Sequence, residues 1–230
     1  MSADDAPGPG AGASATAAAG DGFDAHAAPL PLFPLHNVLF PGGLLQLKVF
    51  EARYLDLMTV CLREKRPFGV VALTQGAEVH RAGGDGAVAF ESIGTLAELI
   101  DVDSDASGIL AVRCRGTRRF ALHAPQQQAD GLWLARTSAP LPDRDAPPSD
   151  DMASAVHALA DALAALKVEG IEPFLPPHRY DSAAWVADRW CEILPFSVGT
   201  KQRLLELPDG GTRLGLIAEF LRKEGVIEEA

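Results

Sequence analysis

The stretch Leu30-Pro31-Leu32-Phe33-Pro34-Leu35-His36-Asn37-Val38-Leu39-Phe40-Pro41-Gly42-Gly43, continued by Leu44-Leu45-Gln46-Leu47-Lys48-Val49, decides how this chain is read. Pro41-Gly42-Gly43 is turn chemistry: proline fixes φ and glycine accepts conformations closed to other residues, so the chain can reverse there. Beyond it, Leu45, Leu47 and Val49 alternate with Gln46 and Lys48, which is the period of a half-buried strand. A turn feeding an alternating strand predicts a β unit.

The same pattern extends outward. From 29 to 139 the apolar runs are short, rich in β-branched or aromatic residues, and separated by Gly-rich or Asp-rich turns. Further strands are expected near 68–73, 88–92, 95–101, 109–114, 118–123 and 132–137. One helix interrupts them at 51–65, where Tyr54, Met58, Cys61 and Leu62 recur at helical spacing. Residues 140–148 (PLPDRDAPP) carry four prolines, which remove backbone donors and suit a linker.

After it the period becomes helical. Met152, Val156, Leu159, Leu163 and Leu166 follow a Ser149-Asp150-Asp151 start signal. Helices are then expected over 182–194, over 197–207 with Ser197 as cap, and over 212–224 with Gly225 just past the end. The class is therefore α+β: a curled β-barrel at 29–139, a linker at 140–148 and a helical bundle at 149–230. Residues 1–28 are mostly Ala, Gly, Asp, Ser and Pro, with Phe23 the one large apolar side chain after Met1. Such a tail cannot offset its ordering entropy and is expected to be disordered.

Composition narrows the function classes. The net charge of -11 over 230 residues repels phosphate backbones and anionic membranes on average. Cys61, Cys114 and Cys191 are odd in number and widely spaced, which fits buried thiols in a reducing compartment rather than disulfides or a metal knuckle. With neither a signal-peptide pattern nor a membrane-length apolar run, the expectation is a cytoplasmic protein.

Motifs of catalysis are missing. A phosphate-binding loop needs Gly-Lys-Ser/Thr, and the chain has no Gly-Lys dipeptide. No serine has glycines on both sides at nucleophile-elbow spacing. His26, His36, His80, His123, His157 and His178 lie at least ten positions apart, so no neighbouring ligand pair exists. Asp101, Asp103 and Asp105 alternate without the closing glutamate of a calcium loop. The reading is no cofactor and no metal. A pocket holding a strongly perturbed titratable pair would be the structural sign of an enzyme assembled only in space.

The opening stretch resembles the start of Lon protease N-terminal (LON substrate-binding) domains. It is followed in family order by Val49-Phe50-Glu51-Ala52-Arg53-Tyr54, Phe68-Gly69-Val70-Val71, Ile93-Gly94-Thr95-Leu96-Ala97-Glu98-Leu99 and Arg115-Gly116-Thr117-Arg118-Arg119-Phe120. Lys201-Gln202-Arg203-Leu204-Leu205-Glu206 and Arg213-Leu214 extend the resemblance into the helical half. Ala52 stands where the family often has proline, so a slightly looser helix entry is expected; Glu51 and Arg53 flank it and are expected to form an ion pair or cap rather than to catalyse.

The resemblance implies a PUA-like β-barrel followed by helices. It also implies a non-catalytic module that binds unfolded or exposed apolar polypeptide segments, with a separate protease or chaperone as a further partner. The ATPase and Ser-Lys protease modules of a full Lon have no motif in this sequence. Phe174, between Pro173 and Leu175-Pro176-Pro177, and Trp185 are the candidate apolar contacts. The alternative is RNA contact through Arg113, Arg115, Arg118 and Arg119, a basic concentration in an acidic chain. No aromatic pair alternates with these arginines to stack bases.

Overall fold

A computed structural model describes residues 29–76, 78, 87–104, 108–138 and 143–228. The expected tail 1–28, together with His26, His80 and Asp105, lies outside them.

Strand β1 (Leu30–Leu35) enters the fold and β2 (Leu44–Val49) follows the Pro41-Gly42-Gly43 turn. The Gly43 N–H donates to the Phe40 carbonyl at 3.0 Å, and Gly42 has φ +74°. Proline in the second position and a left-handed glycine in the third make this a type II turn. Next to it the Gly42 N–H donates to the Gly116 carbonyl (2.8 Å), while the Gly116 N–H donates to the Gly43 carbonyl (2.9 Å). Two residues thus oppose one, a bulge that sets the register of β2.

Helix α1 (Ala52–Glu64) buries Tyr54, Leu57, Met58 and Cys61. Its entry carries the expected ion pair, Arg53 to Glu51 at 2.8 Å, and Arg53 also donates to the Gly131 carbonyl at 2.6 Å. The remaining strands are β3 (Phe68–Gln75), β4 (Ala89–Phe90), β5 (Ile93–Ser104), β6 (Leu110–Gln127) and β7 (Trp133–Ser138). The two strands expected at 109–114 and 118–123 are one long strand, β6.

Strand β1 pairs antiparallel with β7 and parallel with β3, and β3–β5, β5–β6 and β6–β7 are antiparallel. These pairings close a ring of five strands. Strand β2 lies outside the ring, against the first part of β6 from Leu44↔Arg115 to Val49↔Leu110.

The helical half begins with a 3₁₀ turn (Asp150–Met152) and α2 (Ala153–Val168), followed by α3 (Ala183–Ile193), α4 (Val198–Glu206) and α5 (Gly210–Lys223). Ser182, Ser197 and Asp209 cap α3, α4 and α5 by accepting from the N–H three residues on. At the end of α5, Gly225 has φ +69°, and the Val226 N–H reaches the Leu221 carbonyl at 2.9 Å. That is the Schellman stop the glycine predicts.

The described part of the proline-rich segment, 143–148, is bonded to the bundle. The Arg144 N–H donates to the Pro208 carbonyl (2.9 Å), and its own carbonyl accepts from Gly210 N–H (3.0 Å). The Ala183 N–H donates to the Ala146 carbonyl at 2.9 Å. Core residues of the two halves also merge: Val38, Phe40 and Ala72 pack with Leu159, Trp190, Leu205 and Leu214. Among the described residues no helix is long and apolar enough to cross a membrane.

Candidate functional site

Two buried arginines converge on the end of α4, Arg213 from within the helical half and Arg119 from the barrel. Arg213 of α5 donates to Asp188 (2.7 Å), to Asp143 (2.9 Å) and to the Leu204 and Leu207 carbonyls (2.9 and 3.0 Å). Arg119 of β6 donates to the Leu205 and Leu207 carbonyls at 2.6 and 2.9 Å and lies 3.9 Å from Asp143. The planar guanidinium suits this work, because its fixed fork can meet several acceptors at once. Carbonyls at the end of α4 are thereby satisfied by a strand and by the next helix.

A third arginine, Arg189 of α3, joins the opening turn to the bundle. It donates to the Pro41 carbonyl (2.9 Å) and to Glu192 (2.8 Å), and its guanidinium carbon sits 5.2 Å from the Phe174 ring centre and 5.7 Å from that of Trp185. A cation over an aromatic face is attracted by the ring quadrupole, more strongly where water is excluded. The turn fits tightly here: a Cβ on Gly42 would lie 3.1 Å from Arg189 Nη1, and one on Gly43 only 2.1 Å from Glu192 Oε1. Burial pushes Glu192 up to about 8 against the pull of Arg189, and pushes Asp188 up to about 6 against Arg213.

Around this junction runs a furrow of four cavities that share lining residues. One of about 310 Å³ lies along β2 and is lined by Phe33, Leu35, Leu45, Leu47, Phe50 and Tyr54, among others. Through Leu35, Asn37 and Leu45 it meets a second, of about 210 Å³, which reaches Phe174, Glu192 and Ile193. Pro173 and Phe174 lead on to a third, of about 320 Å³, with Leu163, Ile171 and His178. Pro176 connects that to a fourth, of about 390 Å³, containing Trp185, Arg115, Arg179 and Asp188. The lining is apolar with polar groups set at intervals, the usual make-up of a binding cleft.

The structure corrects one feature of the candidate apolar contacts. Phe174 and Trp185 are not exposed side chains but keep 5% and 8% of their surface. They meet edge to face with ring centres 6.4 Å apart, and Tyr180 lies 5.4 Å from Trp185. Both line the furrow, Phe174 in the second and third cavities and Trp185 in the fourth. Exposed apolar surface comes instead from Ile171, Ile193 and Phe50, at 48%, 37% and 54%.

The arginine set divides as well. Arg113, Arg115 and Arg118 are exposed, whereas Arg119 is buried in the contacts above. Strict alternation would keep Arg119 on the side of Arg113 and Arg115, but between Gly116 and Arg119 β6 carries one residue more than β5, and this bulge turns Arg119 inward and Arg118 outward. Sequence reasoning missed Asp188, Arg189, Glu192 and Arg213. A signal was available in Asp188-Arg189-Trp190-Cys191-Glu192, where charges interrupt an apolar helix face. Among the described residues no group of three or more His, Cys, Asp or Glu side chains could hold a metal ion.

The model of the ATP-dependent protease La (LON) substrate-binding domain matches residues 29–223. A crystal structure of a Lon N-terminal domain protein from Xanthomonas campestris is 32% identical and covers 84% of this chain and 99% of its own, with a TM-score of 0.63. Lon protease of Anaeromyxobacter dehalogenans is 29% identical over 206 residues, and that of Phenylobacterium zucineum 26% over 196. The alignments take in 86% and 82% of this chain but 23% and 24% of those proteins, so the chain spans about a quarter of their length. With ring, bundle and signature turn in one order, the chain belongs to the LON substrate-binding domain family.

Proposed function

We propose that this chain is a non-catalytic module that holds polypeptide segments in the furrow between barrel and bundle. The observation that carries the reading is the succession of four cavities, each sharing lining residues with the next, with an apolar lining that includes exposed Ile171 and Ile193. A segment laid along it would desolvate apolar side chains without requiring one fixed sequence, at roughly 25 cal/mol per Å² of apolar surface covered. The carboxyls raised by burial, Asp188 and Glu192, each accept from a buried arginine, which is a structural use of both. The role matches what the family's description says of it, substrate binding.

The test is fluorescence anisotropy of a labelled, permanently unfolded apolar polypeptide titrated with the full chain, beside a labelled single-stranded RNA. Saturable polypeptide binding is expected, with little change at high salt. Ile171→Ser and Ile193→Ser, on exposed positions, should each weaken it by about threefold to tenfold, as expected for losing an apolar contact of 1 kcal/mol or so. Absence of polypeptide binding at tens of micromolar chain, or binding of RNA alone, would overturn the proposal.

A further inference from the structure

Strand β2 has a neighbour on one side. Its six residues pair with β6, and among the described residues no strand pairs with its other edge. The bulge shows which backbone groups face that edge. The Gly116 N–H to Gly43 carbonyl bond makes Gly43 a residue whose backbone is turned toward β6. Antiparallel strands alternate in this respect, so Leu45, Leu47 and Val49 also turn toward β6. The N–H and C=O groups of Leu44, Gln46 and Lys48 turn outward. Beside this edge lies the first cavity of the furrow, lined by Leu45 and Leu47 of β2, by Phe33 and Leu35 of β1, and by Phe50 and Tyr54.

We infer that the furrow receives its polypeptide as an extended strand added to the free edge of β2, with alternate side chains lowered into the cavity between β1, β2 and α1. The inference rests on the polypeptide-binding reading above and names the form in which the segment binds. The edge selects this occupant by its own chemistry: donors and acceptors recur at about 7 Å along one line, which another strand matches. Main-chain bonds would supply affinity that ignores sequence, and the cavity would ask for apolar residues at every second position. A second copy paired through β2 alone would share only a six-residue edge, whereas specific protein interfaces bury upward of roughly 1,200 Å². A client strand gains the furrow in addition to the edge. Lys48, exposed on this strand, is of the residue type that guards open edges against uncontrolled pairing.

The experiment uses the full chain and the labelled octapeptide KTVTVTVK, alone and with its six valine and threonine nitrogens methylated. Methylation removes the backbone donors and blocks edge pairing while leaving every side chain in place. The unmodified peptide is expected to saturate, and the methylated one to bind at least tenfold more weakly. On the protein side, Gln46→Pro removes an outward donor at a position where an edge strand tolerates proline. It should also lose at least tenfold, with Gln46→Ala within twofold of wild type. If Gln46→Pro fails to fold, the methylated peptide still decides.

Equal binding of the two peptides would overturn strand addition and leave furrow capture standing. Failure of both peptides, together with failure of the unfolded polypeptide, would overturn both. In the free chain the Gln46 and Lys48 amides should exchange with deuterium at the rate of open backbone. Protection that persists on dilution would mean that another part of the chain occupies the edge, and protection that grows with concentration would mean a second copy. Either result would overturn the proposal.

Discussion

Replacing Arg213 by methionine removes four hydrogen bonds that tie α5 to α3, to the end of α4 and to Asp143 of the proline-rich segment. The most exposed to loss is Asp188, whose side chain keeps 3% of its surface and whose bond to Arg213 is 2.7 Å long. A buried pair broken on one side costs about 3–5 kcal/mol, because the remaining charge is left without its partner. The Leu207 carbonyl still has Arg119, but the Leu204 carbonyl loses its side-chain donor. Against a total of about 5–15 kcal/mol for a domain, that loss is a fifth or more. Urea unfolding followed by tryptophan fluorescence reports it well, since Trp185 and Trp190 lie on α3 beside Asp188. With a slope of about 2 kcal/mol per molar, the midpoint should fall by roughly 2 M. The double variant R213M/D188L removes both partners and should be more stable than R213M alone. A loss below about 1 kcal/mol in R213M, or a double variant showing the full sum of the single losses, would refute the reasoning.

Other consequences can be checked independently. Glu192 is raised from 4.5 to about 8 in the fold, so between those values the folded state binds the proton that the unfolded state has lost. Its contribution is therefore complete below about pH 4.5 and declines as pH rises toward 8, by about 5 kcal/mol across the full window. Glu192→Gln keeps the acceptor for Arg189 and should flatten the stability–pH profile measured by urea unfolding. An identical slope in both proteins would count against it. Gly116→Ala would put a Cβ 2.3 Å from the Phe40 carbonyl oxygen, backbone that cannot step aside. It should cost at least about 2 kcal/mol by thermal unfolding. Burial pushes the thiols of Cys61 and Cys114 up to about 11 and 12, and that of Cys191 higher still. All three should react with a thiol reagent at neutral pH only at the rate of unfolding. Trp185→Ala opens a cavity in the furrow lining and should cost about 3–5 kcal/mol, read from the same urea titration.

How much was legible beforehand can be argued from particular residues. Pro41-Gly42-Gly43, the alternation in β2, the stripe of α1 and the caps at Ser197 and Gly225 are local facts. Turn angles, strand period and helix stops depend on neighbours within a few positions, so sequence alone determined them. The merging of two expected strands into β6 was hidden because Gly116 and Thr117 read as a break. In the fold Gly116 is instead where two residues of the opening turn are opposed by one.

The candidate site was legible only in part. Phe174 and Trp185 could be chosen for their chemistry, but exposure is decided by whatever else packs over them, and Arg189 does so for both. The four arginines looked alike in sequence until Arg119 found the carbonyls at 205 and 207, more than eighty positions away. Local periodicity and turn chemistry are short-range and write themselves into the sequence, so the elements and their order came from there. The furrow, the buried arginine joint and the open edge of β2 exist only where distant segments meet, and tertiary structure alone decided them.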